Sequence, residues 1–247
     1  LIANAFHYHS KGKIKEASDI YINLIKKGFN DPRILTNLGT IYQQLNDFDK
    51  AILLYKESIK RFSKSFEAYA NLGSILVQKN KTEDAKNYLK KAIELNPSFL
   101  MPYSILASIN INEGNLREAE KLLRKCIKIN PNLAESHLNL GCLLKEQGEI
   151  EEAEISLRKS LEIKPNNDLA LTNLAVVIFE KGEVEEAKKL LDKAVSINPN
   201  SSMAFNSLGN IYSNKKMFDL AEENYRKAIK LQPNFALAHN NLGYLLS

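Results

Sequence analysis

The apolar residues of this chain follow the period of an α-helix and stop at regular intervals. In residues 133–163 the helical spacing pauses at Gln147 and Gly148 and then resumes up to Ile163. Glycine tolerates the left-handed backbone that ends a helix, and Pro165 ends the second run because proline lacks an N–H. The segment therefore predicts two helices joined by a tight turn.

The same two-helix pattern recurs every 34 residues. Leucines keep this spacing at Leu38, Leu72, Leu106, Leu140, Leu174, Leu208 and Leu242. Each of them precedes a small residue, namely Gly39, Gly73, Ala107, Gly141, Ala175, Gly209 or Gly243. A further alanine recurs at Ala17, Ala51, Ala85, Ala119, Ala153, Ala187 and Ala221. Because such periods are typical of stacked supersecondary units, the sequence predicts an all-α solenoid of antiparallel helix hairpins, with about fifteen helices and no strands.

Three residues depart from this pattern. Lys216 occupies the turn position that is otherwise glycine or asparagine, and it is therefore predicted to be left-handed at a cost on the order of 1 kcal/mol. Ser63 stands where the other repeats have proline, which predicts an irregular junction there. Asn4 replaces a leucine, which predicts a frayed or differently covered first hairpin.

Composition and charge narrow the class of protein. The sequence is 44% apolar and 26% charged with a net charge of +5, an ordinary balance for a soluble domain and too small a positive excess to imply nucleic acid. It contains no apolar run long enough to span a bilayer and no secretory signal at its start. Cys126 and Cys142 lack a CxxC spacing, so a reducing, cytoplasmic compartment is expected. Leu1 is not an initiator methionine, which suggests a segment of a longer protein.

The sequence offers no arrangement for catalysis. His137 and His239 share a repeat position with tyrosine and phenylalanine, which indicates packing. Cys142 has no histidine three or four residues away to activate it. No phosphate loop and no cluster of metal ligands is present in the sequence. We therefore expect a protein that is not an enzyme and that needs no cofactor or metal.

Several segments carry a family resemblance. NLGTIY…KAILLYKESI, NLGSIL…DAKNYLKKAIELNP and LNLGCLL…EAEISLRKSLEIKP resemble the tetratricopeptide repeat, and the resemblance covers the whole chain. It implies a right-handed superhelical solenoid whose concave wall is the first helix of each hairpin. Residues 1–247 would form one array, with a nearly complete repeat at 1–31, six full repeats at 32–235, and the first helix of a truncated repeat at 236–247.

Amide side chains recur on the predicted wall. Residues at i, i+4, i+7 and i+11 of a helix share one face, and on the first helices this face includes Asn37, Asn71, Asn139, Asn173, Asn210 and Asn241. An amide both donates and accepts, so such a row could clamp the backbone of an extended peptide. We therefore expect Asn71, Asn139 and Asn173 to point into the concave space with amides free of intramolecular partners. The row resembles the asparagine ladder in the repeat region of protein O-glycosyltransferases. The alternative is that the amides stack locally or are solvated.

The middle of the same face is more apolar. Its apolar residues, on or beside the row, are Met101, Ile105, Leu138, Leu169, Val176, Phe179 and Met203. Exposed apolar surface rimmed by polar groups usually marks a partner site. The alternative is that Leu138 and Phe179 turn into the hairpin cores.

These features predict a protein–protein interaction scaffold that binds an extended peptide or a partner protein in the groove. One alternative is a substrate-recruiting or regulatory domain of a larger bacterial transferase, because GKIKEASDIYINLIKKGFNDPRILTNLGTIY resembles repeat arrays fused to such enzymes. An RNA-binding helical repeat is less favoured, since the face has more carboxylates than cations and phosphate needs a basic groove. Neither a nucleic acid nor a membrane is an expected partner.

The last twelve residues repeat a first helix without its second. We expect Leu242 to pack against Ala228 and Ile229, and Tyr244, Leu245 or Leu246 to stay partly exposed. A repeat stack whose last helix exposes apolar side chains needs another element to cover them. Self-association through this edge, or docking of the rest of a longer protein, is the corresponding expectation.

Overall fold

The computed structural model describes residues 2–247. Within that range the chain forms fifteen α-helices and no strand, which confirms the all-α helical-repeat fold predicted from the 34-residue period. The helices are α1 (Ile2–Ser10), α2 (Ile14–Lys26), α3 (Pro32–Gln44), α4 (Phe48–Arg61), α5 (Phe66–Gln78), α6 (Thr82–Leu95), α7 (Leu100–Asn112), α8 (Leu116–Ile129), α9 (Ala134–Glu146), α10 (Ile150–Ile163), α11 (Asp168–Glu180), α12 (Val184–Ile197), α13 (Ser202–Asn214), α14 (Phe218–Leu231) and α15 (Ala236–Leu246).

The chain divides into two compact units, one ending at Leu122 and the other spanning Leu123–Ser247. We call the odd-numbered helices first helices and the even-numbered helices second helices. In the first unit α3 packs against α4 and also against the next first helix, α5. In the second unit α9, α11, α13 and α15 contact one another in the same order. Successive first helices therefore contact one another from α3 to α7 in the first unit and from α9 to α15 in the second.

Small residues let the two helices of a hairpin approach closely. The recurrent alanines, from Ala17 to Ala221, are all fully buried. A Cβ on Gly39 would lie 2.6 Å from Cε1 of Tyr55, and one on Gly141 would lie 2.6 Å from Cγ of Leu157. Since Cβ atoms do not approach carbon so closely, these glycines set the helix separation.

The turns inside the hairpins carry a left-handed residue. Lys216 has a φ of 59°, like Asn46 at 59° and Asn80 at 56°, which confirms the prediction for Lys216. Its glycine equivalents, among them Gly148, also have positive φ. The hairpin thus keeps its turn geometry even where the residue is strained.

The expectation of an irregular junction at Ser63 is wrong for the backbone. Helix α4 ends at Arg61 and α5 begins at Phe66, the same interval as between α6 and α7. Phe62 has φ −132° and ψ 80°, close to the −142° and 92° of its equivalent Asn96. In the first hairpin, Asn4 on α1 is exposed.

The final helix leaves apolar side chains uncovered, as predicted. Tyr244 and Leu246 are exposed, whereas Leu242 and Leu245 are half-buried. Helix α15 packs against α14 and α13. Among the helices of residues 2–247, none therefore covers one side of α15.

Candidate functional site

In the first unit the predicted faces of three successive first helices meet. They line a cavity of about 410 Å³ that contains Thr40, Gln43, Gln44, Asn46, Phe48, Asn71, Ser74, Gln78 and Met101. Amides and hydroxyls make up most of this lining, and Met101 supplies apolar surface. The periodicity therefore located neighbouring side chains correctly, although they come from helices 34 residues apart.

A larger cavity of about 890 Å³ lies at the junction between α4 and α5. Asn37 and Asn71 reach it from the first helices, and its other lining residues are Asn30, Asp31, Pro32, Arg33, Thr36, Arg61, Phe62, Ser63, Lys64, Ser65, Phe66, Glu67 and Phe99. The rings of Phe66 and Phe99 meet edge to face with centroids 5.0 Å apart. Sequence reasoning missed this cavity. The available signal was the segment Arg61–Lys64, which differs at every position from the loops around Pro97, Pro131, Pro165, Pro199 and Pro233.

The cations of this larger cavity are mostly engaged. Arg33 bonds Asp31 at 2.6 Å, and this contact holds the pKa of the Asp31 carboxyl below its usual value. Arg61 bonds Glu57 at 2.6 Å. Lys64 makes no ion pair or side-chain hydrogen bond within residues 2–247. The cavity thus offers aromatic surface beside one unengaged ammonium group.

The prediction that the amides of Asn71 and Asn173 are free is wrong. Asn71 Nδ2 donates to Thr40 Oγ1 at 3.4 Å. Asn173 is buried; its Nδ2 donates to the Leu169 carbonyl at 2.9 Å, and its Oδ1 accepts from Lys145 Nζ at 2.7 Å. Both amides therefore have intramolecular partners. This is the usual arrangement for polar groups in a protein interior, because a buried polar group without a partner is costly.

The remaining amides of the row differ in whether they have a hydrogen-bond partner. Asn37 Nδ2 donates to Tyr21 Oη at 3.3 Å, and Asn241 Nδ2 donates to Asn210 Oδ1 at 3.0 Å. Asn139, by contrast, is half-buried and has no hydrogen-bond partner for its side chain among the described residues. Only this member of the row keeps the free amide that the sequence predicted.

Tyrosines of the second helices account for part of this difference. Tyr225 Oη donates to Asn210 Oδ1 at 2.9 Å, and Tyr55 Oη lies 3.2 Å from Thr40 Oγ1 and donates to Gln43 at 2.9 Å. Burial raises the pKa of Tyr55 to about 12, so the hydroxyl stays a donor. The equivalent residues in the middle of the chain are Leu89, Leu123, Leu157 and Leu191, which have no hydroxyl to offer.

An apolar row lies on the first helices of the second unit. Leu169 is 49% exposed, Met203 40% and Leu237 60%, and the three residues hold one repeat position on α11, α13 and α15. We call them the apolar row. Leu237 was missed in the sequence, although the 34-residue spacing from Met203 identifies it.

The other predicted apolar residues are less accessible. Met101, Ile105, Val176 and Phe179 are half-buried. Leu138 is buried, so for this residue the alternative of packing into the hairpin core is correct. The accessible apolar surface of the predicted site is therefore concentrated in the apolar row.

Histidine and cysteine have structural roles. His137 Nε2 lies 2.9 Å from the Pro131 carbonyl, and His239 Nε2 lies 2.8 Å from that of Pro233. Because a carbonyl only accepts, each Nε2 carries the proton. Burial raises the pKa of the Cys142 thiol, which disfavours the nucleophilic thiolate.

The described residues contain neither a metal-binding cluster nor a membrane-spanning helix. Residues 2–247 contain no group of three histidine, cysteine or acidic side chains placed to hold a metal ion. None of the helices in that range combines the length and the apolar character needed to cross a bilayer.

Comparisons with known proteins agree with this architecture. Residues 2–241 match the family model of the Cilia and flagella-associated protein 70 C-terminal domain, a tetratricopeptide-repeat model. No curated protein sequence gives a significant match.

Solved structures show the same fold. YrrB, described as a tetratricopeptide-repeat protein with an unusual peptide-binding site, is 22% identical and has a TM-score of 0.62, covering 75% of this chain and 96% of its own. Pseudomonas aeruginosa pilF is 16% identical with a TM-score of 0.73, covering 94% of this chain and 99% of its own. MamA is 27% identical with a TM-score of 0.59, covering 67% of this chain and 96% of its own.

Proposed function

Because the chain belongs to the family of the Cilia and flagella-associated protein 70 C-terminal domain, a tetratricopeptide-repeat family, we propose that it is a protein-interaction scaffold. Its ligand is an extended segment of a partner polypeptide that lies along the first helices of the second unit. The observation that carries the proposal is the exposure of Leu169, Met203 and Leu237 at one repeat position.

The residues of the apolar row are aligned along successive first helices. Single exposed apolar residues are normal on proteins, but three at equivalent positions of successive first helices form a line with the period of the hairpins. Burying one such side chain completely stabilises a complex by roughly 2 kcal/mol. Since only 40–60% of each residue in the row is exposed, the row supports a complex of modest affinity that needs further polar contacts.

Polar groups beside the apolar row indicate which kind of ligand it would bind. Asn139 on α9 keeps an amide with no partner in residues 2–247, which suits the backbone N–H and C=O groups of an extended peptide. Glu135 is exposed and occupies on α9 the repeat position that the row fills with apolar residues. We therefore expect ligands that combine apolar side chains with a lysine or arginine toward one end. The YrrB description as a peptide-binding repeat protein supports the same class of ligand.

The test uses a random library of twelve-residue peptides on phage, selected on the wild-type chain. Affinities of the enriched peptides are then measured by fluorescence polarisation for three proteins: wild type, Leu169→Ser with Met203→Ser, and the control Ile155→Ser. Ile155 is 68% exposed and lies on the second helix α10 of the same unit. A serine there removes comparable apolar surface without touching the row.

The expected result is a loss of at least tenfold in affinity for the double variant and no change for Ile155→Ser. Enriched peptides should also contain apolar residues together with a basic residue. Failure to enrich any peptide, or an equal loss in the control, would contradict the proposed site.

A further inference from the structure

The loop between α4 and α5 lacks a hydrogen bond that equivalent loops make. In three of those loops an asparagine Oδ1 accepts from the N–H two residues further on, at 3.0–3.1 Å; the asparagines are Asn96, Asn130 and Asn198. Phe62 occupies the same repeat position and offers no side-chain oxygen. The N–H of Lys64 consequently makes no hydrogen bond within residues 2–247, and the N–H of Ser63 makes none either. The exchange removes an internal contact from the loop and leaves two consecutive donors available.

The same exchange places a ring and a cation in the wall of the larger cavity, which has a volume of about 890 Å³. Phe62 lies in this wall together with Phe66 and Phe99, and all three residues are half-buried. Lys64 is exposed in the same wall, and its ammonium group has no ion pair or hydrogen bond within residues 2–247. Ligand sites of this size typically combine apolar walls with a few polar groups that fix orientation. The lining therefore suits a ligand that is apolar in one part and anionic in another.

Positive charge is concentrated on the two segments that supply most of this lining. Residues 26–33 and 60–67 together contain six lysines and arginines and two carboxylates, a net charge of +4. The five equivalent segments of later repeats, from 94–101 to 230–237, contain three cations and four carboxylates. Since the net charge of the whole chain is +5, most of it lies beside the larger cavity. A surface of this kind attracts ligands of the opposite charge, so the anionic part of a ligand is expected to be pronounced.

Several features of the cavity favour an acidic polypeptide over a nucleic acid. Asn37 and Asn71 donate through Nδ2, and their Oδ1 atoms have no partner within residues 2–247, which suits the N–H groups of a peptide backbone. Phe66 and Phe99 pack edge to face and are half-buried, so they present no row of open ring faces on which successive bases could stack. The half-buried carboxylate of Glu67 in the lining would repel a run of phosphates.

We propose that the larger cavity binds an acidic segment of a partner polypeptide that carries one large apolar side chain. The apolar side chain lies against Phe62 and the pair formed by Phe66 and Phe99. A carboxylate next to it pairs with the ammonium group of Lys64 and accepts from the unpartnered N–H groups of Ser63 and Lys64. This site belongs to the first unit, and its ligand is opposite in charge to the one expected at the apolar row of the second unit. The inference therefore does not rest on the proposed function.

The probe is a rhodamine-labelled peptide, Gly-Ser-Asp-Glu-Phe-Asp-Glu-Ser-Gly, with a blocked C-terminus. Its binding to the wild-type chain is followed by fluorescence polarisation at low salt. Two control peptides carry the same label; one replaces the phenylalanine by serine, and the other replaces every acid by its amide. Each control should bind at least about fivefold more weakly than the probe, because each lacks one half of the proposed recognition. Salt screens exposed charges, so the affinity for the probe should also fall as ionic strength rises.

The charge is tested by Lys64→Glu, which should weaken binding about fivefold or more because it turns an attraction into a repulsion. Its matched control is Lys81→Glu, which makes the same change in net charge and should leave the affinity within about twofold of wild type. Lys81 is likewise exposed, and its ammonium group has no ion pair within residues 2–247. It lies beyond the opposite end of α5, a helix of 13 residues that is roughly 20 Å long.

The ring is tested by Phe62→Asn, which restores the residue found at Asn96 and its equivalents. The new Oδ1 can accept from the N–H of Lys64, so the loop regains its internal hydrogen bond while the cavity loses a ring and a free donor. Binding of the probe should weaken about fivefold or more. Circular dichroism checks that the variant is folded, and Lys64→Glu tests the site independently of the packing of Phe62.

Three results would overturn the proposal. One is equal affinity of the probe for Lys64→Glu and Lys81→Glu. Another is equal affinity of the wild-type chain for the probe and for the peptide without phenylalanine. The third is tighter binding of a rhodamine-labelled oligothymidine than of the probe, lost in Phe62→Asn, because the cavity would then serve a nucleic acid. None of these variants alters the apolar row, so failure here leaves the proposed function unaffected.

Discussion

Gly209→Ala should destabilise the chain although alanine is the better helix former. The new Cβ would collide with Cε1 of Tyr225 and lie 2.5 Å from its Cδ1 and 3.0 Å from its Cζ. The ring cannot turn aside freely, because its hydroxyl donates to Asn210 at 2.9 Å. Relief of the collision therefore requires either separation of α13 from α14 or loss of that hydrogen bond.

The magnitude follows from three contributions. Replacing glycine by alanine inside a helix gains about 1 kcal/mol. Overpacking a core costs about 1–3 kcal/mol, and losing the Tyr225 hydrogen bond costs about 1 kcal/mol more. The first hairpin has Ala5 at this repeat position with Tyr21 sixteen residues later, so a modest opening of the hairpin is feasible. We expect a net destabilisation of about 1–3 kcal/mol.

The matched control is Gly243→Ala, at the same repeat position of α15. Its Cβ would meet no atom within 4 Å, so only the gain in helix propensity remains. Urea unfolding followed by circular dichroism at 222 nm gives the midpoints, which are preferable to extrapolated energies because repeat arrays can deviate from two-state unfolding. A midpoint of Gly209→Ala equal to or above that of Gly243→Ala would refute the packing argument.

Three other predictions concern single side chains. Asn173→Ala should lower the free energy of unfolding in urea by about 1–2 kcal/mol, because it removes the hydrogen-bond acceptor of Lys145. Asn139→Ala should change it by no more than about 0.5 kcal/mol. Cys142 should react with Ellman's reagent, and the rate should increase with pH, because burial raises the pKa of its thiol and the thiolate is the reactive form. The buried Cys126 should react only in urea. Burial raises the pKa of Tyr55 from 10.0 to about 12, so the folded state favours the neutral hydroxyl. The resulting stabilisation is fully present below pH 10 and is lost as the pH rises through about 12. Tyr55→Phe should therefore reduce the alkaline fall in the urea midpoint.

The fold was predictable because the hairpin contacts are local and recur with one period. Spacing alone gave the helices, the buried alanines and the left-handed turn at Lys216, since each of these is set by residues within one repeat. The same reasoning failed for Ser63, because it treated proline as necessary for the loop. The backbone at Phe62 reaches the usual dihedral angles without it.

The repeat spacing predicted which side chains are neighbours on the first helices, but not their hydrogen bonds. The spacing placed Asn71 and Ser74 beside Thr40 across two hairpins, as the structure shows. Whether an amide is free depends on what lies opposite it in space, and Asn173 is satisfied by Lys145, which is 28 residues away. Such pairings vary from repeat to repeat, so periodicity carries no information about them.

Ser63→Pro should stabilise the chain, because the loop already has the conformation that proline requires. Phe62, the preceding residue, has φ −132° and ψ 80°, close to the −131° and 86° of Lys164 before Pro165, and the N–H of Ser63 makes no hydrogen bond within residues 2–247. Restricting the unfolded chain should then raise the free energy of unfolding by about 0.4–1 kcal/mol, and Pro97→Ser, the reverse change, should lower it similarly. A fall in the urea midpoint for Ser63→Pro would show that the loop needs serine. A rise would mean that the fold does not require this departure from the repeat.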